Sequence, residues 1–229
     1  MSKANNVIVA LDNMTKEQAL AFSSLTENSI PTVKIGLELF NHYGPVVIKE
    51  ISALSKKEIF LDLKLHDIPN TVEKAILGLD GLPIKFLTVH LSGGYEMLIR
   101  AKAALEKINP HATLLGVSIL TSLGVEDIKE MSGQDFNSAF QRLLNLAKRA
   151  GVTGLVSSAQ ELPFIADWEK TQKYKLTKVC PGIRFSDESA DDQKRVLTPQ
   201  EAFKAGANYL VMGRSLTKAK NLAERIASL

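Results

Sequence analysis

Eight short aliphatic and β-branched runs, recurring at intervals of roughly 20 to 35 residues, constrain this chain more than any other feature, because each is followed by a segment with helical apolar spacing. The runs predict strands at 7–11, 32–35, 59–63, 86–89, 114–119, 154–157, 177–180 and 209–212. The segments between them predict helices at 16–26, 39–54, 71–79, 95–107, 138–150, 159–168, 199–205 and 216–227. Many of the strands are apolar almost throughout, as expected when helices cover one face and a barrel interior the other. Eight consecutive units fit a closed (β/α)8 TIM barrel, although a doubly wound open sheet gives the same alternation. Gly151 and Gly206, each closing a helix shortly before a strand, fit C-terminal caps.

The 229 residues fall within the usual span of one such barrel, and no Pro/Gly/Ser-rich or charged stretch reads as a linker, so one domain over 1–229 is expected. The formal charge of +3 is small and the basic residues are scattered, which argues against nucleic acid and suits an anionic small molecule. With one cysteine, Cys180, an intrachain disulfide is impossible and the cytoplasm is the expected compartment. The first apolar run, at 7–11, is too short for a signal segment or a membrane span.

In parallel α/β folds the chemistry lies at the C-terminal strand ends, so the polar residues closing each run are the candidates. They are Asp12; Lys34; Asp62, Lys64, His66 and Asp67; His90; Thr121 and Ser122; Ser157 and Ser158; Pro181 to Arg184; and Gly213 to Ser215. The third run is the most informative. From Phe60 to Asp67 leucine alternates with charge, so Asp62 and Lys64 share a face at period two. A solvated edge strand would also alternate. Among apolar strands, however, the leucines must face the helices and the charges the barrel interior, where buried charge needs partners. A Schiff base would need Lys64 neutral. Each carboxylate about 4 Å away favours the ammonium by roughly 4 kcal/mol at an effective dielectric near 20, so Lys64 is expected to be a charged proton donor set by Asp62 and Asp67.

A second signal is anionic. Strand eight runs into Gly213-Arg214-Ser215 and a helix, which offers backbone N–H groups and a guanidinium to a phosphate, with Arg184 as a second arm. A plain surface turn is the competing reading.

Together, Ala10-Leu11-Asp12, Val33-Lys34-Ile35-Gly36, the string from Phe60 to Thr71 and Pro181-Gly182-Ile183-Arg184 resemble the orotidine 5'-phosphate decarboxylases. Thr88-Val89-His90 with Gly93-Gly94, Leu120-Thr121-Ser122, Ser158 to Glu161 and Val211 to Arg214 extend the resemblance along the chain. It implies conversion of orotidine 5'-monophosphate (OMP) to UMP and CO2, the last step of de novo UMP synthesis, by a carboxy-lyase that is a homodimer and uses no metal or cofactor. In that pattern Asp12 and Lys34 hold the ribose hydroxyls and Lys64 protonates C6. Asp62 with Asp67 holds the lysine and crowds the substrate carboxylate. Asp67 and Thr71 reach in from the neighbouring subunit. Thr121 and the backbone near Pro181 contact the pyrimidine, and Arg184, Gln193, Gly213 and Arg214 hold the phosphate. The chain departs from the family pattern at Leu91, where a small residue is common, and at Ser157 and Cys180.

Structural readings compete at several positions. Asn70 with Glu73 forms a capping-box-like pair, and Asp67 could also cap that helix. His66 and His90 read as structural, His42 and His111 as surface residues, Cys180 as a buried filler, and Trp168 and Tyr174 as surface packing. Gln193 lies in a polar loop, 187–194, long enough to serve as a lid. Two other functions fit less well: a Mg2+-dependent decarboxylase of sugar-phosphate β-keto acids, and a non-catalytic nucleotide-binding barrel.

Overall fold

The computed structural model describes residues 3–188 and 197–229. Eight parallel strands close into a barrel in chain order, each pairing with the next and β8 with β1. They are β1 (Val7–Ala10), β2 (Thr32–Gly36), β3 (Glu58–Leu65), β4 (Ile84–His90), β5 (Thr113–Val117), β6 (Gly154–Val156), β7 (Thr177–Cys180) and β8 (Tyr209–Met212). Closure excludes the open sheet, and every predicted strand is present. No helix among the described residues is long and apolar enough to cross a membrane.

The helices show where local chemistry interrupts the expected periodicity. The segment predicted as one helix over 39–54 is two, α2 (Leu37–Tyr43) and α3 (Pro45–Ser55), after α1 (Lys16–Leu25). Gly44 sits at φ +61° between them and Pro45 opens the second, a pairing that ends one helix and starts another. Next come α4 (Pro69–Leu77), α5 (Tyr95–Ile108) and a helix not anticipated, α6 (Val125–Ser132). The Asp127 carboxylate accepts the Gly124 N–H at its start, and Gly133 at φ +67° ends it. Then follow α7 (Phe136–Ala150), capped by Gly151 at φ +69°, and α8 (Leu162–Gln172), entered through a 3-10 turn at Ala159–Glu161. After α9 (Pro199–Lys204), the predicted 216–227 helix is instead α10 (Arg214–Thr217) and α11 (Leu222–Ala227). Asn221 restarts the chain by capping the Glu224 N–H.

Strand residues alternate between two apolar layers. Val7, Val9, Val33, Ile35 and Leu61 pack outward against the helices, while Ile8, Ala10, Phe60, Phe86, Leu115, Val179 and Val211 plug the interior. Phe60 and Phe86 meet edge to face, 6.0 Å between centroids. This plug forms an apolar floor at mid-barrel. Trp168, expected at the surface, is buried instead: its indole N–H donates to Asn145 and its ring meets half-buried Tyr174 edge on. Both carry polar tips, which the sequence pattern cannot distinguish from exposure.

The Leu91 departure has a packing counterpart. Leu91 is fully buried, and a methyl group on Gly116 of β5 would lie 2.3 Å from its Cδ2 and 2.7 Å from its Cγ. The glycine thus leaves the volume that the leucine fills. Gly116→Ala should destabilise the fold by about 1–3 kcal/mol through overpacking. In urea unfolding the cost should fall well below that in a Leu91→Ala background; equal costs in both backgrounds would refute the pairing.

Candidate active site

The charged residues gather at the C-terminal mouth of the barrel, on β1 to β3. Lys34, on the inward face of β2, donates to Asp12 Oδ1 at 2.9 Å just beyond β1 and lies 3.6 Å from Asp62 Oδ2 on β3. Lys64 donates to the same Asp62 oxygen at 2.7 Å. Acid and base therefore alternate in a chain, Asp12–Lys34–Asp62–Lys64. Its middle is buried, with Lys34 and Asp62 side chains 10% and 11% exposed, and its end opens, with Lys64 at 31%. Burial opposes the Asp62 charge, but the ammonium groups of Lys34 and Lys64 and hydrogen bonds from Lys64 and Thr88 outweigh it, holding the carboxyl below its ordinary range. Gly36 makes the Asp12–Lys34 contact possible, since a Cβ there would lie 2.9 Å from Asp12 Oδ1.

The leucines of β3 face the helices and Asp62 faces inward, as the alternation predicts. A break in register was not foreseeable. Leu61 pairs with Leu87 and Leu65 with Val89, so Asp62, Leu63 and Lys64 stand opposite the single residue Thr88 of β4. Lys64 takes φ +48°, left-handed for a non-glycine residue. Its N–H donates to Thr88 Oγ1 at 2.9 Å, and that hydroxyl donates to Asp62 Oδ1 at 2.9 Å.

Two adjoining cavities share Lys34, Asp62, Lys64, Pro181 and Val211. The inner one is walled by Phe60, Val117, Ile119, Val156 and Val211, with Thr121 and Ser157 at its edge. The outer one, about 570 Å3, runs from Asp12 to Gly213, Arg214, Arg184 and Lys218. An apolar slot thus joins a cationic opening, with the acid–base chain on the wall between them. Lys218, one turn beyond Arg214, had not been singled out; its i,i+4 spacing was the available signal. Thr88 entered only as part of the string Thr88-Val89-His90, with no role of its own, although Phe86, Thr88 and His90 share the inward face of β4 by period two.

Asp67 is not brought to Lys64 within the chain. It is exposed, and its Oδ1 accepts the Ile68 N–H at 2.7 Å, beside exposed Thr71. Asn70 does not cap the helix, because Pro69 starts α4 earlier, and Glu73 pairs with Arg100 instead. His66 and His90 lie ring to ring, 5.2 Å apart. Burial, with His66 and Lys64 nearby, holds His90 below its ordinary value. His42 and His111 are exposed, and Cys180 is a buried thiol pushed up to about 12 by burial. Ser157 donates to the buried Glu161 carboxylate at 2.9 Å. Gln193 lies outside the described residues.

Fold and site together define a (β/α)8-barrel enzyme whose mouth carries an Asp–Lys–Asp–Lys chain between an apolar slot and a cationic opening. Residues 5–229 match the model of the orotidine 5'-phosphate decarboxylase / HUMPS family. A Fusobacterium nucleatum subsp. nucleatum protein named orotidine 5'-phosphate decarboxylase is 44% identical over 96% of this chain and 92% of its own. A Pseudomonas paraeruginosa protein of the same name is 40% identical over 97% and 95%. The crystal structure of orotidine 5'-phosphate decarboxylase from Lactobacillus acidophilus superposes with a TM-score of 0.82 at 32% identity, covering 98% of this chain and 96% of that one. This chain belongs to the orotidine 5'-phosphate decarboxylase / HUMPS family.

The Asp62 charge has a measurable signature. A carboxyl held below its ordinary value stabilises the fold above the unfolded-state value near 4, and that contribution fades as pH falls through the folded value. Asp62→Asn should lower unfolding free energy by about 3 kcal/mol at pH 7. The gap from wild type should shrink below about pH 4; a gap unchanged with pH would contradict the charged state.

Proposed function

We propose that this chain decarboxylates orotidine 5'-phosphate to UMP and CO2, with Lys64 delivering the proton to C6. The observation that carries this reading is the 2.7 Å contact of Lys64 with Asp62 on the wall between the apolar slot and the cationic opening. The bond from C6 to the carboxylate breaks, CO2 leaves, and the electron pair stays on C6, where the ammonium of Lys64 supplies a proton. Lys64 is left neutral and regains its proton from solvent. The scheme draws on no metal and no cofactor.

The remaining residues divide the substrate among them. The pyrimidine enters the slot beside Thr121 and Pro181, against apolar walls that exclude water and strengthen the ammonium's field on C6. Asp12 and Lys34 take the ribose hydroxyls. Arg184, Gly213 and Arg214, with Gln193, hold the phosphate, and Lys218 adds positive charge on that side. Asp62 meets the departing carboxylate as a fixed negative charge, destabilising the bound substrate relative to the transition state. Binding energy from the distant phosphate offsets that repulsion.

A homodimer completes the site. Ile68 is 66% exposed between exposed Asp67 and Thr71, an apolar residue flanked by the two groups that would enter a neighbouring subunit's mouth. A soluble enzyme of the cytoplasm is the setting that fits this reading.

An absorbance assay of OMP loss in the presence of EDTA tests the chemistry. Wild type should turn over, and Lys64→Ala should lose at least about a thousandfold in kcat. Abolition by EDTA would point instead to the metal-dependent sugar-phosphate reaction, and near-equal rates would remove Lys64 from its role. Mixing inactive Lys64→Ala with inactive Asp67→Ala subunits should restore about a quarter of wild-type sites, because half the dimers become hybrids with one intact site each. Failure to restore any activity would mean that each chain supplies its own Asp67.

A further inference from the structure

We infer that Thr88 is a positioning residue for the reaction: its one hydroxyl fixes both the backbone of the proton donor Lys64 and the carboxylate that holds the donor's ammonium group. The inference rests on the reading of Lys64 as the donor. Its basis is geometric. Thr88 is fully buried on the inward face of β4, and its Oγ1 lies 2.9 Å from the Lys64 nitrogen and 2.9 Å from Asp62 Oδ1. A backbone N–H can only donate and an ionised carboxylate can only accept, so the hydroxyl proton must go to Asp62 and an oxygen lone pair to Lys64.

Two consequences follow. With Oδ1 occupied by Thr88, the carboxylate presents Oδ2 to Lys64 at 2.7 Å and to Lys34 at 3.6 Å. The two ammonium groups therefore share one oxygen, and the carboxylate plane cannot turn without losing three contacts. The second consequence concerns the bulge. Three residues of β3 stand opposite Thr88 alone, and the last of them, Lys64, has φ +48°. The Thr88 hydroxyl accepts the N–H that this irregular backbone would otherwise leave without a strand partner. A valine would fill the same volume and make neither bond.

The test compares Thr88→Val, Thr88→Ser and Thr88→Ala with wild type in steady-state kinetics across pH. Thr88→Val should lower kcat about 10- to 100-fold while KM changes less than about threefold. Thr88→Ser, which keeps the hydroxyl, should stay within about threefold of wild type. The acid limb of the kcat profile should move to higher pH in the valine variant, because Asp62 loses a donor to its charged form. The other charged or titratable groups around that carboxylate are Lys34 on β2, Lys64 on β3 and His90 on β4, all retained in the variants. If the valine variant does not fold, the serine and alanine variants decide: serine should exceed alanine at least tenfold in kcat. Wild-type kcat and an unmoved acid limb in Thr88→Val, or equal kcat in the serine and alanine variants, would overturn the inference. Lys64→Ala in the same assay separates the two ideas. An active Lys64→Ala enzyme would refute the proton-donor reading itself; an inactive one beside a fully active Thr88→Val enzyme would refute only the role of Thr88.

Discussion

A carboxylate nearly out of contact with water, Asp62, is shared by two ammonium groups, and the arrangement of the mouth follows from satisfying it. An ionised carboxyl in a barrel interior is strongly disfavoured unless opposite charge and hydrogen bonds compensate. Lys34 on one neighbouring strand, Lys64 on its own and Thr88 on the other supply that compensation. Each is on a strand rather than a loop, so their spacing is set by the barrel's hydrogen-bond register and not by a flexible segment. The irregular backbone at Lys64 belongs to the same arrangement: the register break in β3 sets Asp62 and Lys64 opposite Thr88, whose one hydroxyl reaches both.

The apolar plug gives this chain its strength. Phe60, Phe86, Leu115 and Val179 fill the barrel below the charges, so the electrostatic interactions at the mouth operate over an apolar floor of low polarisability. Cations then grade outward. Lys34 and Lys64 pair with carboxylates at the inner end, and Arg184, Arg214 and Lys218 line the wider opening. In the proposed reaction an anionic ligand would be drawn toward the outer end, placing its reacting portion at the inner end, where a negative carboxylate and a positive amine sit 2.7 Å apart. Attraction and repulsion are separated along one ligand, which is how remote binding can drive a reaction at a group the site repels.

Much of this was legible in the sequence because it depends on period and on residue type. Eight apolar runs gave eight strands, and the leucine–charge alternation of β3 put Asp62 inside. Asp12 and Arg214 follow apolar runs, Lys34 is carried within one, and all three line the mouth. What stayed hidden depends on relations between strands. No single-strand pattern reveals that three residues of β3 face one of β4, so Thr88 looked like an ordinary strand threonine. Helix boundaries failed where local chemistry overrode apolar spacing, at Gly44-Pro45 and around Asn221. Helix α6 was missed because it is short and exposes most of its surface. Trp168 was misjudged because a tryptophan can bury its ring and still satisfy its N–H, here through Asn145. Asp67 shows a further boundary: its placement in one chain is that of a surface turn, and whatever it does for a second chain is not written in its own contacts.

In the proposed mechanism the Lys64 side chain stands as an ammonium ion against Asp62, ready to give a proton. Side-chain 15N NMR at pH 7, with the Lys64 signal assigned by its absence in Lys64→Arg, reads that state directly. An ammonium resonance for Lys64 that changes on Asp62→Asn substitution is expected; a neutral-amine resonance in the wild-type protein would remove Lys64 as the proton donor.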